Sequence, residues 1–264
     1  MRTRHLAAAA ALALVVPAAG GAQTLLYRQN FEAPTGFVND GGDFNIFRTV
    51  NDLYGGQPAG FTFAQNYTVE TLLIGGTEAF GTGYVDPSGR GGKYALGLLS
   101  DRQDDYLGLA FNVGAYRFLN FRLDISSIDL DRQGGPFVPA GGLAPTFRFS
   151  LFDNPGGATG LGSGTPLAFA DVTGTVSPNK YTFDFRNVVV ALNATGNTDG
   201  NVILRVDLLS GGYAAMDNFV IAAADDPGGG LGVVPEPATW LLFGAGAAVL
   251  GAADRLRRVR GVRG

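Results

Sequence analysis

The chain has 264 residues, no cysteine, one histidine (His5) and a formal net charge of −4 from 19 basic and 23 acidic residues. With no cysteine and its only histidine at the extreme start, the body of the protein has no disulfide framework. It is also excluded from Ser-His-Asp and Cys-His nucleophilic catalysis, HExxH zinc chemistry and Cys/His zinc clusters.

At the start, Arg2 and Arg4 precede the apolar stretch Leu6–Val16, and Pro17 and the small residues Gly20-Gly21-Ala22 follow. A charged start, a short apolar middle and a small-residue exit read as a secretory signal peptide over residues 1–22, cut ahead of Gln23. The rest is then exported. Setting aside residues 1–22 and everything from Ala238 onward removes seven basic residues and one acidic residue, which leaves residues 23–237 at −10. Such a surface is unsuited to nucleic acid or anionic lipid, which are gripped by Lys and Arg. It suits neutral glycans, divalent cations or simple solubility.

The ectodomain, residues 23–224, shows short alternating runs between turn residues and no sustained helical period. Strands are expected at Leu25–Phe31, Val69–Ile74, Lys93–Leu99 and Tyr106–Val113. The clearest is Phe118–Ser126, where Leu119, Phe121, Leu123 and Ile125 alternate with Asn120, Arg122 and Asp124. Further strands follow around Phe147–Leu151, Ala168–Val176, Tyr181–Phe185, Asn187–Leu192, Val202–Leu208 and Met216–Ala222. Period-two alternation sends one residue set to the core and the other to solvent. Some ten to twelve short strands predict an all-β fold, a single antiparallel β-sandwich of jelly-roll type. Gly/Pro-rich connections lie at Gln133–Pro145, Asn154–Pro166 and Asp86–Gly92. No fixed-period repeat is present, which disfavours a propeller or β-helix.

Residues 225–234 (Asp-Asp-Pro-Gly-Gly-Gly-Leu-Gly-Val-Val) read as a flexible Gly-rich linker. Beyond it, residues 235–264 begin with Pro235-Glu236-Pro237, continue as the apolar run Ala238–Ala253 and end in Arg255, Arg257, Arg258, Arg260 and Arg263. The run has 16 residues, a short membrane helix against the ~20 a full span needs. The arginines would hold that end in the cytoplasm.

This three-part ending resembles the PEP-CTERM sorting signal of exported bacterial proteins. The resemblance implies a membrane-embedded exosortase-type protease as processing partner. It further implies a destination at the cell surface or extracellular matrix, with anchoring through the C-terminal helix before processing, and an association with exopolysaccharide or biofilm.

The ectodomain is similar to the jelly-roll sandwiches of carbohydrate-binding modules through Phe31-Glu32, Gly91-Gly92-Lys93-Tyr94-Ala95-Leu96 and Asp217-Asn218. That resemblance implies a structural Ca²⁺ held by the side chains of Glu32 and Asp217 and a backbone carbonyl around Lys93. Six to eight mixed oxygen ligands suit this ion. Independently, Asp217 shares its alternation phase with Phe219 and Ile221 and so is expected to start inward, where a carboxylate needs a partner. The loop Asn39–Asp43 could supply further oxygens.

Tyr54, Tyr67, Tyr84, Tyr106 and Tyr116 are candidate sugar-stacking rings, since the one tryptophan, Trp240, lies in the terminal run. Asp101–Asp105 reads as a solvated turn, and Asp124, Asp129 and Asp131 as the raw material for a glycosidase carboxylate pair. Gly160–Gly164 lacks the Lys-Ser/Thr of a phosphate loop. The expected function is a structural or adhesive surface protein, not an enzyme. The alternatives are a calcium-stabilised carbohydrate-binding module and, second, a carboxylate-dependent polysaccharide hydrolase.

Overall fold

The computed structural model describes residues 21–54, 63–65, 69–99, 105–131 and 142–232. The expected signal peptide up to residue 20, Pro235, Glu236, Pro237, the apolar run 238–253 and the arginine tail lie outside the described residues. Among the described residues no helix is long and apolar enough to cross a membrane.

The described chain is an antiparallel β-sandwich. Its strands are β1 (Gln23–Gln29), β2 (Phe44–Asn45), β3 (Phe63–Gln65), β4 (Glu70–Leu73), β5 (Tyr94–Leu99), β6 (Tyr106–Asn112), β7 (Phe118–Ser127), β8 (Thr146–Asp153), β9 (Ala168–Thr173), β10 (Arg186–Asn193), β11 (Asn201–Ser210) and β12 (Tyr213–Ala224). One helical turn, α1 (Val50–Leu53), is capped by Thr49, which accepts from the Asp52 amide while the Asp52 carboxylate receives the Thr49 N–H. A seven-stranded sheet runs β10-β7-β12-β5-β4-β2, with β1 also paired to β12. A five-stranded sheet runs β3-β6-β11-β8-β9.

The alternating residues meet between the sheets as expected. Leu119, Phe121, Leu123 and Ile125 of β7 pack with Phe147, Phe149 and Leu151 of β8 and Val202, Leu204, Val206 and Leu208 of β11. Phe121 sits edge-to-face with both Phe149 (5.6 Å) and Phe219 (4.8 Å), the arrangement favoured by the ring quadrupole.

Two expectations are corrected on the other face of the larger sheet, part of which is covered. Tyr181–Phe185 is no strand: it makes isolated bridges, and Tyr181 has φ +55°. Phe183 and Phe185 instead join Ile74, Tyr84, Ile128 and Leu130 over Leu72, Ala95, Tyr213 and Ala215, forming a second core. Side chains of that face which the alternation assigns to water are buried elsewhere too, Asn120 and Asp124 among them.

Asn120 has a specific load. Its amide donates to the carbonyls of Asp226 (3.0 Å) and Gly229 (2.9 Å) and accepts the Gly228 N–H (2.8 Å). Leu231 closes the contact, buried with Val220 and Ala222. Residues 225–232, expected as a flexible linker, are thus a turn clipped to the sheet.

Candidate functional site

β12 changes partner half-way along one edge. It pairs with β5 as far as Met216↔Leu96 and with β1 from Phe219↔Gln29. Asp217 and Asn218 fall in the gap between. On the opposite edge the register to β7 passes from Asp217↔Asp124 to Val220↔Arg122, so β12 carries one extra residue there. Asn218 accommodates it at φ +56°, a conformation Asn tolerates better than most residues. The bulge reverses the phase of the strand. Ala214 and Met216 lie in the main core before it and Phe219 and Ile221 after it. Asp217 therefore does not share a face with Phe219 and Ile221, as strict alternation predicts. It stands opposite Asp124 on the outer face, and is fully buried even so.

Residues from far away fill the gap. Phe31, two residues beyond β1, sits in the left-handed region at φ +54°, its ring edge-on to Phe219 (5.0 Å) and Tyr54 (5.2 Å) and its carbonyl accepting the Tyr54 O–H (2.8 Å). That plug positions the next residue, Glu32, whose two carboxylate oxygens each accept the Lys93 N–H at 3.0 Å. Gly92 makes room: a Cβ there would come within 1.9 Å of Glu32 Oε1, and its φ is +53°. Glu32, Lys93 and Asp217 are thus brought to one junction. The role expected of Lys93 is altered, because its carbonyl receives the Ile74 N–H (2.8 Å) and its N–H serves Glu32.

The electrostatics of the junction are lopsided. Burial pushes the Asp217 carboxyl up to about 9; the Asn218 N–H pulls the other way, and the charges of Glu32, Asp124 and Asp86 push it higher. Asp217 Oδ1 receives the Asn218 N–H (2.6 Å), while Oδ2 is buried with no hydrogen-bond partner. A buried, orphaned carboxylate oxygen amid further carboxylates fits a hard divalent cation. Bound there, such an ion would neutralise the charge that burial penalises. Among the described residues no three acidic side chains are gathered as a ready metal cluster. Glu32 and Asp217 would hold it together with backbone carbonyls and water, a mixture Ca²⁺ accepts and Mg²⁺ resists.

Beside the junction, on the outer face, lies a groove of about 790 Å³ lined by Arg28, Gln29, Asn30, Arg90, Arg122, Asp124, Asn187, Asn218, Phe219 and Val220. Asp124 is its one acidic group. It is tied to Arg90 (3.6 Å), Asn187 (3.0 Å) and Asn218 (3.0 Å). The alternation along β1 and β7 marks Arg28 and Arg122 as outward, but their convergence depends on the pairing of β1 and β7 to β12, which no local pattern encodes.

Other expected groups are employed elsewhere. In the loop Asn39–Asp43, Asn39 Oδ1 accepts three loop amides, Asp40 the amides of Ile46 and Phe47, and Asp43 those of Glu78 and Ala79. Those oxygens hold the loop together and are not at the junction. Tyr54 and Tyr84 are core residues, whereas Tyr106 is half-buried under the Arg205 guanidinium (4.9 Å) and Tyr116 is partly buried against the core. Tyr67 and residues 101–104 lie outside the described residues, and Asp105 is buried. Asp129 accepts the Asp131 N–H, and Asp131 pairs with Lys180, so neither joins Asp124 in a two-carboxylate cleft.

Residues 233–258 match the model of the PEP-CTERM protein-sorting motif. The chain carries a PEP-CTERM signal. It is thereby marked as an exported, cell-envelope-associated protein processed by an exosortase, as Pro235-Glu236-Pro237 and the terminal arginines imply. No curated protein matches it. Solved structures similar in outline include the Stig cyclase Fisc from Fischerella sp. TAU, at 16% identity and TM-score 0.43 over 78% of this chain and all (100%) of that one. The CBM22-1 xylan-binding domain from Paenibacillus barcinonensis is similar at 13% and 0.40, over 79% and 99%. A cleaved adhesin domain of Lys-gingipain from Porphyromonas gingivalis is similar at 11% and 0.38, over 76% and 99%. The fold stands on the two sheets themselves.

Proposed function

We propose that this PEP-CTERM protein is a structural or adhesive sandwich displayed at the cell surface or in the extracellular matrix. It works by binding, not by catalysis, in association with exopolysaccharide of a biofilm. A Ca²⁺ ion held by Glu32 and Asp217 locks the junction where β12 passes from β5 to β1.

The observation that carries the reading is the groove beside that junction. It is lined by guanidinium and amide groups suited to holding a polar chain. Its single carboxylate, Asp124, is saturated by Arg90, Asn187 and Asn218. Glycoside hydrolysis by carboxylates needs two such groups ~5–10 Å apart across the bond. The groove offers one, and among the described residues there is no histidine or cysteine to replace the other.

The test is retention of the full-length chain, in neutral detergent, on immobilised polysaccharides while released reducing ends are assayed. Saturable retention with no product supports the reading. Product release that Asp124→Asn abolishes would overturn it in favour of a hydrolase.

A further inference from the structure

We propose that the outer-face groove recognises an acidic polysaccharide, one bearing carboxylates along its length, through Arg28 and Arg122 acting as a pair. This rests on the reading of the chain as a surface-displayed binding protein and adds the class of polymer.

The pair is built by register. Arg28 of β1 and Arg122 of β7 both stand opposite Val220 of β12, so the three residues form one cross-strand row. With one strand between them, the two backbone positions are about 10 Å apart, twice the ~4.8 Å strand spacing. Both side chains line the groove, and between them lies the apolar, buried Val220. Neither guanidinium has an ion-pair partner among the described residues, whereas the third, Arg90, shares Asp124.

The arrangement runs against the composition. From Gln23 to Pro237 the chain has 12 basic and 22 acidic residues, yet the groove gathers three arginines and one aspartate. A neutral sugar would leave the two guanidiniums without the planar, bidentate anion for which they are suited. Two arginines set apart across a strand fit charges repeated along a chain.

The remaining lining supplies hydroxyl recognition. Asn187 and Asn218 commit their NH₂ groups to Asp124, which leaves each Oδ1 as an acceptor. Gln29 commits its Oε1 to the amides of Asn30 and Phe31, which leaves its NH₂ as a donor. The only ring in the lining, Phe219, is fully buried, so stacking on an aromatic platform is not the mode of recognition.

The experiment measures binding of the full-length chain in neutral detergent to alginate, a polyuronate, with dextran sulfate and uncharged dextran alongside. Variants are Arg28→Gln, Arg122→Gln, the double variant, and Arg148→Gln as a control of equal charge on the other sheet; circular dichroism melts verify folding. The lysine variants R28K and R122K serve if a glutamine variant does not fold. The proposal expects saturable binding to alginate that weakens with salt, falls at least tenfold in the double variant and is unchanged in the Arg148 control. Dextran sulfate binding lost in the same double variant extends recognition to sulfates. Alginate binding indifferent to Arg28 and Arg122 would overturn the proposal, as would retention on uncharged dextran alone. The second result would leave the surface-binding reading standing. Silence on every polymer would overturn both.

Discussion

Glu32 reaches across 61 positions of sequence to receive the Lys93 N–H with both carboxylate oxygens at 3.0 Å. This bond ties the end of β1 to the start of β5 at the point where β12 exchanges one for the other. Gly92 is what lets the carboxylate in. A methyl group there would collide with Glu32 and also sit at positive φ. Gly92→Ala is expected to cost about 2 kcal/mol, or roughly 4–8 °C in melting temperature for a domain of this size. An unchanged melt would mean that the Glu32–Lys93 link does not hold the junction.

A second carboxylate sets a pH dependence. Burial pushes Glu70 up to about 7, against the hydrogen bond it receives from the Tyr213 O–H (2.5 Å) and with the charges of Asp105 and Asp40 adding to the rise. A carboxyl whose folded pKa exceeds its unfolded value near 4.3 holds an extra proton in the native state through that window. Its contribution is therefore complete below pH ~4 and lost as pH rises toward 7. Melting temperature measured from pH 4 to 8 should fall, and Glu70→Gln should flatten the part between 4 and 7. A Glu70→Gln profile parallel to wild type would show that this group does not titrate there.

Asn120 should control the turn at residues 225–232. Asn120→Ala would strand two carbonyls and one N–H that it now satisfies, a local cost of about 2–3 kcal/mol. Limited proteolysis should then cut within 225–232 much faster than in wild type while the sandwich melts only slightly lower. Equal cleavage rates would show that the turn is not held by this side chain.

Because that turn is fastened to the sheet, processing of the sorting signal should leave it intact. Mass spectrometry of the exported protein should find a mature chain that extends beyond Gly232 and lacks Arg255, Arg257, Arg258 and Arg260. A terminus inside 225–232 would contradict the packing of Leu231 against Val220 and Ala222.

Much of this was legible from alternation alone. The period-two pattern of Phe118–Ser126 and Val202–Leu208 placed their apolar sets in the core, because burial on one face leaves that signature in the sequence. What alternation could not show was the cover on the larger sheet's outer face, where Phe183 and Phe185 act from a non-strand segment. Nor could it show the bulge at Asn218, since one extra residue changes phase without changing composition. Short motifs are enough to name Glu32 and Asp217 as candidates. They do not name Arg28 and Arg122, because cross-strand neighbours are set by register.

The most direct measurement is Ca²⁺ added to the chelator-treated full-length chain at pH 8, followed by melting temperature and titration calorimetry, for wild type and Asp217→Asn. Saturable binding to the folded state stabilises by about 2.7 kcal/mol at a hundredfold excess over Kd. The account predicts a melting temperature several degrees higher in wild type with a measurable heat, and neither effect in Asp217→Asn. Binding also displaces the proton from Asp217, so the gain should shrink at pH 5. A wild-type chain whose melt and heat are unmoved by Ca²⁺, or a variant that responds as strongly as wild type, would contradict it.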